Sequence, residues 1–208
     1  MTNLCDEKFF VVGGTSGIGL EFTRLLIKNN ASVTISGRNF NGSSFENSEK
    51  LRFIKQEFDV SLERPFSDEF MQALKGCTVL VICTGPFIQK EFHETILSDW
   101  KSMSSLNLAL PGFLVSSVLP HMMKARYGKI LLFGSFDSER IRGYKTTAAY
   151  SSAKTALEVL SRSVNENYAE FNILCRVFHP GFVTNVPAGF VPETASETAL
   201  AALNLLLT

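Results

Sequence analysis

The run Gly13-Gly14-Thr15-Ser16-Gly17-Ile18-Gly19 constrains this chain more than any other stretch. It follows the apolar segment Lys8 to Val12, which reads as a strand. It precedes Ile18 to Asn30, where Ile18, Phe22, Leu25 and Leu26 recur at helical spacing. A strand that feeds a helix through glycines can bring backbone N–H groups against a pyrophosphate at the helix N-terminus. Glycine permits the turn, the close backbone approach and tight packing of helix on sheet. The spacing is G-x-x-x-G-x-G, not the G-x-G-x-x-G of the best-known dinucleotide fingerprint. A plain Gly/Ser turn is the alternative, and the position between strand and helix favours cofactor binding.

The rest of the chain keeps the same rhythm. Strands are expected at Ala31 to Ser36, Leu51 to Phe58, Thr78 to Cys83, Lys129 to Phe133 and Ile173 to Phe178. Helices are expected at Leu62 to Gly76, Ser98 to Lys124 (interrupted near Pro111), Ala148 to Tyr168 and Glu193 to Leu207. Near-continuous apolar strands alternating with amphipathic helices imply an α/β fold, a doubly wound parallel sheet of about six strands with helices on both faces. The 208 residues, 45% of them hydrophobic, suffice for one core and one domain. The Asn/Gly/Ser/Phe stretch Arg38 to Ser48 reads as a flexible loop where a crossover helix could have stood.

Twenty basic and twenty acidic residues cancel, and no Lys/Arg run occurs, so a nucleic-acid or anionic-membrane partner is not expected. The longest apolar runs are too short to span a bilayer, and Asp6 and Glu7 do not suit a signal peptide. Cys5, Cys77, Cys83 and Cys175 form no C-x-x-C pair and read as free thiols of a reducing, cytoplasmic setting. His93, His121 and His179 have no ligand spacing, so no metal is expected.

Tyr150 and Lys154 stand four residues apart in a helical segment and emerge on one face. A phenol titrates near pH ~10, and an ammonium beside it favours the phenolate, which would bring a proton donor–acceptor toward working pH. After the second strand, Gly37 and Arg38 stand where an acidic residue would hold the adenine ribose hydroxyls. A guanidinium there suits a 2′-phosphate, so NADP(H) is preferred and NAD(H) left open.

With these pieces together, the sequence resembles the short-chain dehydrogenase/reductase family from about Lys8 to Thr184. The glycine loop resembles that family's cofactor motif, with Val12 where threonine usually stands. Asp59-Val60 resembles the pair that contacts adenine. Thr84-Gly85 stands in place of the end of the family's N-N-A-G, with Cys83 replacing its asparagine. Leu106-Asn107-Leu108 matches the segment of the catalytic asparagine, and Phe133-Gly134-Ser135 the strand end that presents the catalytic serine. Tyr150 and Lys154 match Y-x-x-x-K. His179-Pro180-Gly181-Phe182-Val183-Thr184 resembles the proline-glycine motif that holds the carboxamide end of the cofactor.

The resemblance implies a Rossmann-like, NADP(H)-preferring oxidoreductase, with hydride transfer between nicotinamide and a carbonyl or secondary alcohol. It gives the proton to Tyr150 and the substrate oxygen to Ser135. Lys154 takes the ribose hydroxyls and the tuning of Tyr150, and Asn107 anchors a water that links Lys154 to solvent. Fifteen residues separate Ser135 from Tyr150, slightly more than is usual, and Ser138 is the competing serine. Ser135 is preferred because it directly ends the strand. Arg176 stands where asparagine is common. After Thr184 a short Pro/Gly/Phe segment and one helix replace the family's longer substrate loop and seventh strand, which implies a more open substrate side. Phe87, Phe136, Tyr144, Phe182 and Phe190 are candidate pocket residues. The two long helices imply a homodimer. Two other functions stand beside this one: a non-catalytic NADP(H)-sensing module, and an epimerase or dehydratase on a nucleotide-linked sugar.

Overall fold

A computed structural model describes residues 4–40, 45, 49–58, 66–183 and 191–208. Asp59, Val60, Thr184 and Phe190, and the expected helix start at Leu62, lie outside the described residues.

Six parallel strands form one sheet: β1 (Lys8–Val12), β2 (Ser32–Gly37), β3 (Leu51–Lys55), β4 (Val79–Ile82), β5 (Gly128–Phe133) and β6 (Ile173–Phe178). Their order is β3-β2-β1-β4-β5-β6. The chain therefore builds outward from β1 in one direction, returns to β4, and builds outward in the other. A crevice opens where the order reverses, beyond the C-terminal ends of β1 and β4.

Alternate strand residues feed two cores, as the two-residue period requires. Phe10, Val12, Leu80, Ile82, Ile130 and Leu132 point to one face. There α2 (Asp68–Gly76), α4 (Leu110–Ala125) and α5 (Ala148–Tyr168) cover them with Phe70, Leu114, Val118 and Leu157. Phe9, Val11, Val33, Ile35, Val81 and Leu131 point to the other, under α1 (Gly17–Lys28) and α6 (Ala195–Leu207). The expected α/β class and doubly wound sheet are the observed ones.

Several boundaries differ, each for a local reason. β3 ends at Lys55, because Gln56 N–H makes the last ladder bond to Gly37 O (2.9 Å) and Phe58 turns to pack on Phe66 and Phe70. The described part of α2 starts at Asp68, capped by Ser67, whose Oγ accepts from Phe70 N (3.2 Å). α6 starts two residues later than expected, behind a capping box of Thr194 and Glu197. In the stretch read as a loop, Phe40 packs on Phe45 and Phe53, with ring centroids 5.6 and 5.2 Å apart.

The expected interruption near Pro111 is a widened turn. α3 (Leu97–Ser104) runs into a π-helical segment, Ser105–Ala109, and then into α4, where Leu110 N–H reaches back five residues to Ser105 O. Proline at 111 has no N–H to give, and in a regular turn its ring would clash with the Asn107 carbonyl, which disfavours an α turn there. The whole column Leu97–Ala125 has 29 residues, and by length and composition could cross a membrane. Scanning for unbroken apolar runs misses it, because Ser104, Ser105 and Asn107 interrupt them. Met103, Leu110, Leu114, Val118 and Met122 are buried in the protein, the pattern of a core helix.

Candidate active site

The crevice at the reversal point holds a cavity of about 640 Å³. Gly13, Thr15 and Ser16 line it from the end of β1, Gly37 and Arg38 from β2, and Cys83, Thr84 and Gly85 from β4. Gly13 has φ +86°, and a Cβ there would come within 2.7 Å of the Cys83 carbonyl oxygen, so only glycine lets the two strand ends approach. Gly17 opens α1 with φ +53°, and Gly19 is buried behind the turn. Arg38 is exposed at the rim. Gln56, Glu57 and Phe58, just past the end of β3, with Pro86 and Leu106, also line this cavity and were not anticipated. They became neighbours only through the strand order.

A second cavity, about 370 Å³, adjoins the ends of β5 and β6. Ser135 and Tyr150 both face it, together with Ile18, Pro180, Gly181 and Val183. Phe87, Phe136, Tyr144 and Phe182 line it as expected. Phe87 packs edge-on to Tyr150 (centroids 5.0 Å) and Phe136 lies against Phe182 (4.5 Å). Arg142 caps the rim, its guanidinium over the Tyr144 ring (4.8 Å) and paired with Asp137 (2.7 Å). Thr146, Thr147 and Ser151 add hydroxyls that the sequence did not single out.

Lys154 is buried one turn below Tyr150, where Nζ donates to Phe133 O (2.8 Å) and lies 5.8 Å from the Tyr150 ring centroid. Burial pulls its ammonium down to about 8. Burial likewise pushes the Tyr150 phenol up to about 12. The expectation that the ammonium draws the phenol down does not hold here. The Lys154 hydrogen bond goes to a backbone carbonyl, and removal of the phenol from water dominates. Cys83 is partly exposed to the larger cavity, yet packed closely enough that its thiol rises to about 12, opposed by the nearby Lys154 charge.

Asn107 is fully buried in the widened helical turn. Its Nδ2 donates to Pro86 O (3.0 Å), and Oδ1 has no hydrogen-bond partner among the described residues. Any side chain at Gly85 (φ +140°) would strike that oxygen. Asn107 and Lys154 line neither cavity and share no direct hydrogen bond among the described contacts. Ser138, the competing serine, is fully buried, and its Oγ bonds Ser135 N, Ser135 O and His179 Nδ1 (2.9 Å each). Arg176, where asparagine is common in the family, has a buried Nε with no hydrogen-bond partner among the described residues. Among the described residues no cluster of ligating side chains could hold a metal.

A family profile described as short chain dehydrogenase matches residues 7–191. The chain is 29% identical to 3-oxoacyl-[acyl-carrier-protein] reductase FabG of Chlamydia pneumoniae, over 86% of this chain and 75% of that protein. It is 26% identical to the NADP-dependent (R)-specific alcohol dehydrogenase of Lentilactobacillus kefiri, over 88% of this chain and 76% of the other. A solved short chain dehydrogenase/reductase family protein superposes with a TM-score of 0.86 at 25% identity, covering 99% of this chain and 91% of its own. The glycine turn at the strand reversal and the tyrosine-lined second cavity thus belong to a recognised architecture, and the chain is a member of the short chain dehydrogenase family, oxidoreductases that act on CH–OH and C=O groups with NAD(P).

Proposed function

We propose that this protein is a single NAD(P)-binding domain that uses NADP(H) to interconvert a carbonyl and a secondary alcohol, with Tyr150 as general acid and base. The observation that carries the reading is the shared exposure of Ser135 and Tyr150 on one cavity, with Lys154 one turn beneath. A nicotinamide, when bound, supplies or accepts the hydride. The rest falls to the protein: position, a proton and a place for developing charge.

Gly13, Thr15, Ser16, Gly17, Ile18 and Gly19 would hold the pyrophosphate side of the cofactor, with Asp59, Val60, Thr84 and Gly85 at the adenine side and strand end. Pro180, Gly181, Val183 and Thr184 would hold the carboxamide end. The fit rests on the close approach at Gly13 and on the cavity beyond β1 and β4. Arg38 at the rim of that cavity supports a 2′-phosphate. Ser135 Oγ would hold the substrate oxygen, and Tyr150 Oη would give it a proton in reduction. A phenol pushed above its ordinary value stays protonated at neutral pH, which suits the donor role. Lys154 would bind the ribose hydroxyls. The Oδ1 of Asn107, buried with no partner among the described residues, supports its part in a water-mediated relay. Phe113 on α4 and Val159 on α5 are exposed apolar side chains on the two long helices and support a homodimer through that face.

Fluorescence titration with NADPH and NADH tests the cofactor. Arg38→Ala should weaken NADPH by roughly tenfold or more and leave NADH unchanged, as loss of a charged hydrogen bond would. Tyr150→Phe should keep NADPH affinity and cut kcat by about 10²- to 10⁴-fold on any carbonyl the wild type reduces. Tight NADPH binding with no turnover across a broad carbonyl panel would instead make the protein a non-catalytic sensor. Binding of neither nucleotide would sink the oxidoreductase reading.

A further inference from the structure

His179 occupies a place that its position in the sequence does not announce. It lies between β6 and Pro180, and its ring bridges two other elements. Nδ1 is 2.9 Å from Ser138 Oγ in the loop after β5, and Nε2 is 2.8 Å from Glu158 Oε1 on α5, one turn beyond Lys154. Gly134 has room for no side chain here, because a Cβ would come within 2.7 Å of Nδ1 and 2.9 Å of Ser138 Oγ. Three segments therefore meet at one imidazole: the loop of Ser135, the helix of Tyr150 and Lys154, and the strand end that leads into Pro180 and Gly181.

The directions of these bonds follow from the groups. An ionised Glu158 can only accept, so Nε2 carries the proton and Nδ1 of a neutral ring accepts. Ser138 must then donate to His179, while its oxygen accepts from Ser135 N–H (2.9 Å). When the ring takes a second proton, Nδ1 becomes a donor. The Ser138 hydroxyl hydrogen must then turn to the Ser135 carbonyl, also 2.9 Å away. Both states are satisfied by the same heavy-atom positions, and they differ in how the backbone on either side of Ser135 is held. The charged groups facing the ring are Glu139 of the loop (3.6 Å from Nδ1) and Glu158, itself paired with Arg162 (3.4 Å).

We propose that His179 is a positioning residue for Ser135, acting through the Ser138 hydroxyl and oriented by Glu158. The proposal rests on the reading of Ser135 as the group that holds the substrate oxygen. His179 itself touches no substrate. It sets the backbone from which Ser135 reaches the second cavity and ties that backbone to the helix of Tyr150.

The test has two arms on the full chain. In the first, the ¹⁵N–¹H signal of Ser135 is followed against pH together with the His179 ring signals. In wild type the Ser135 amide should move in step with the ring, and in Ser138→Ala and His179→Asn it should stay still. An amide that ignores the ring in wild type overturns the proposal, whether or not the protein turns over. In the second arm, kcat, KM and NADPH affinity are measured for His179→Ala, His179→Asn and Ser138→Ala. The asparagine amide oxygen can still accept from Ser138, so His179→Asn should recover most of the roughly tenfold loss in kcat expected for the alanine variants, a loss worth about one hydrogen bond. NADPH affinity should stay within about twofold throughout, since no cofactor contact is removed. Equal losses in His179→Ala and His179→Asn overturn the proposal. A wild type that binds NADPH but reduces no carbonyl sinks the enzymatic reading instead, and the amide arm then decides the Ser138–His179 linkage alone.

Discussion

At Lys154, burial and chemistry pull against each other. The ammonium is enclosed by the protein and held down to about 8, against an ordinary 10.5, with one hydrogen bond to Phe133 O as compensation. Because its folded value is lowered, the native state binds fewer protons than the unfolded chain between those limits. Its cost is then full below pH 8 and disappears as pH rises toward 10.5, by at most about 3 kcal/mol. Lys154→Met removes the charge and keeps the bulk. The variant should be about 1–2 kcal/mol more stable than wild type at pH 7, after the lost hydrogen bond is discounted. Urea denaturation of both proteins at pH 7 and pH 10 checks this, and the gap should narrow at the higher pH. Equal stability at pH 7 would mean that the buried charge is better solvated than its surroundings suggest.

At the scale of elements, the predictable parts were those with local causes. Tyr150 and Lys154 sit on α5 with the bounds that periodicity gives, and β1 and β6 also start and end where their apolar runs do. The caps at Ser67 and Thr194 are also present in the sequence as Ser-Asp-Glu and Thr-Ala-Ser-Glu, and apolar spacing alone puts the start of α6 two residues too early. What sequence could not supply was proximity across elements. Gln56 and Phe58 reach the larger cavity, and His179 reaches Glu158 and Ser138, because β3, β6 and α5 are placed by the sheet order and not by nearness in the chain. The direction of the Tyr150 shift was likewise hidden, since it depends on how completely the phenol is enclosed. Two variants test the elements themselves. Ser67→Ala removes the α2 cap and should cost about 1 kcal/mol in chemical denaturation. Gly13→Ala forces a Cβ onto the Cys83 carbonyl at φ +86°, so it should destabilise by about 1–3 kcal/mol and weaken NADPH in the fluorescence titration. Retained NADPH affinity in Gly13→Ala would mean that the turn takes no part in binding.

For the whole molecule, the sheet divides its tasks between its two ends. The C-terminal ends of the strands open into the two cavities. The opposite ends are closed by Glu7, just before β1. Its carboxylate accepts from the Tyr127 hydroxyl, just before β5, and from Thr78 Oγ1 (2.6 Å), just before β4. Lys8 N–H in turn donates to Thr78 Oγ1 (2.9 Å). Three adjacent strands are thus joined at one buried carboxylate, and the Tyr127 phenol is raised far above its ordinary value by burial and by Glu7. Glu7→Ala leaves both hydroxyls without their acceptor and should cost about 2–4 kcal/mol. NADPH affinity of the folded fraction should be unchanged, because the tie lies at the far end of the sheet. Thermal melting with a parallel binding titration separates the two, and a large loss of affinity in the folded protein would show that the two ends are coupled.

The widened turn at Ser105–Ala109 has a consequence for rotational register. Each residue of a regular helix advances by about 100°, and a π turn accommodates one residue more than an α turn over the same rise. The segment therefore behaves as a one-residue insertion that turns everything before it relative to everything after it. α4 can keep Leu110, Leu114 and Val118 on the sheet while Asn107 is still aimed at Pro86 and past Gly85. Deleting Leu108 should let the column relax to regular α-helix. The anchored end would stay in place and α3 would swing through roughly a quarter-turn, carrying Met103 out of the core. One continuous helical column thus holds two phases, and the asparagine sits at the junction between them.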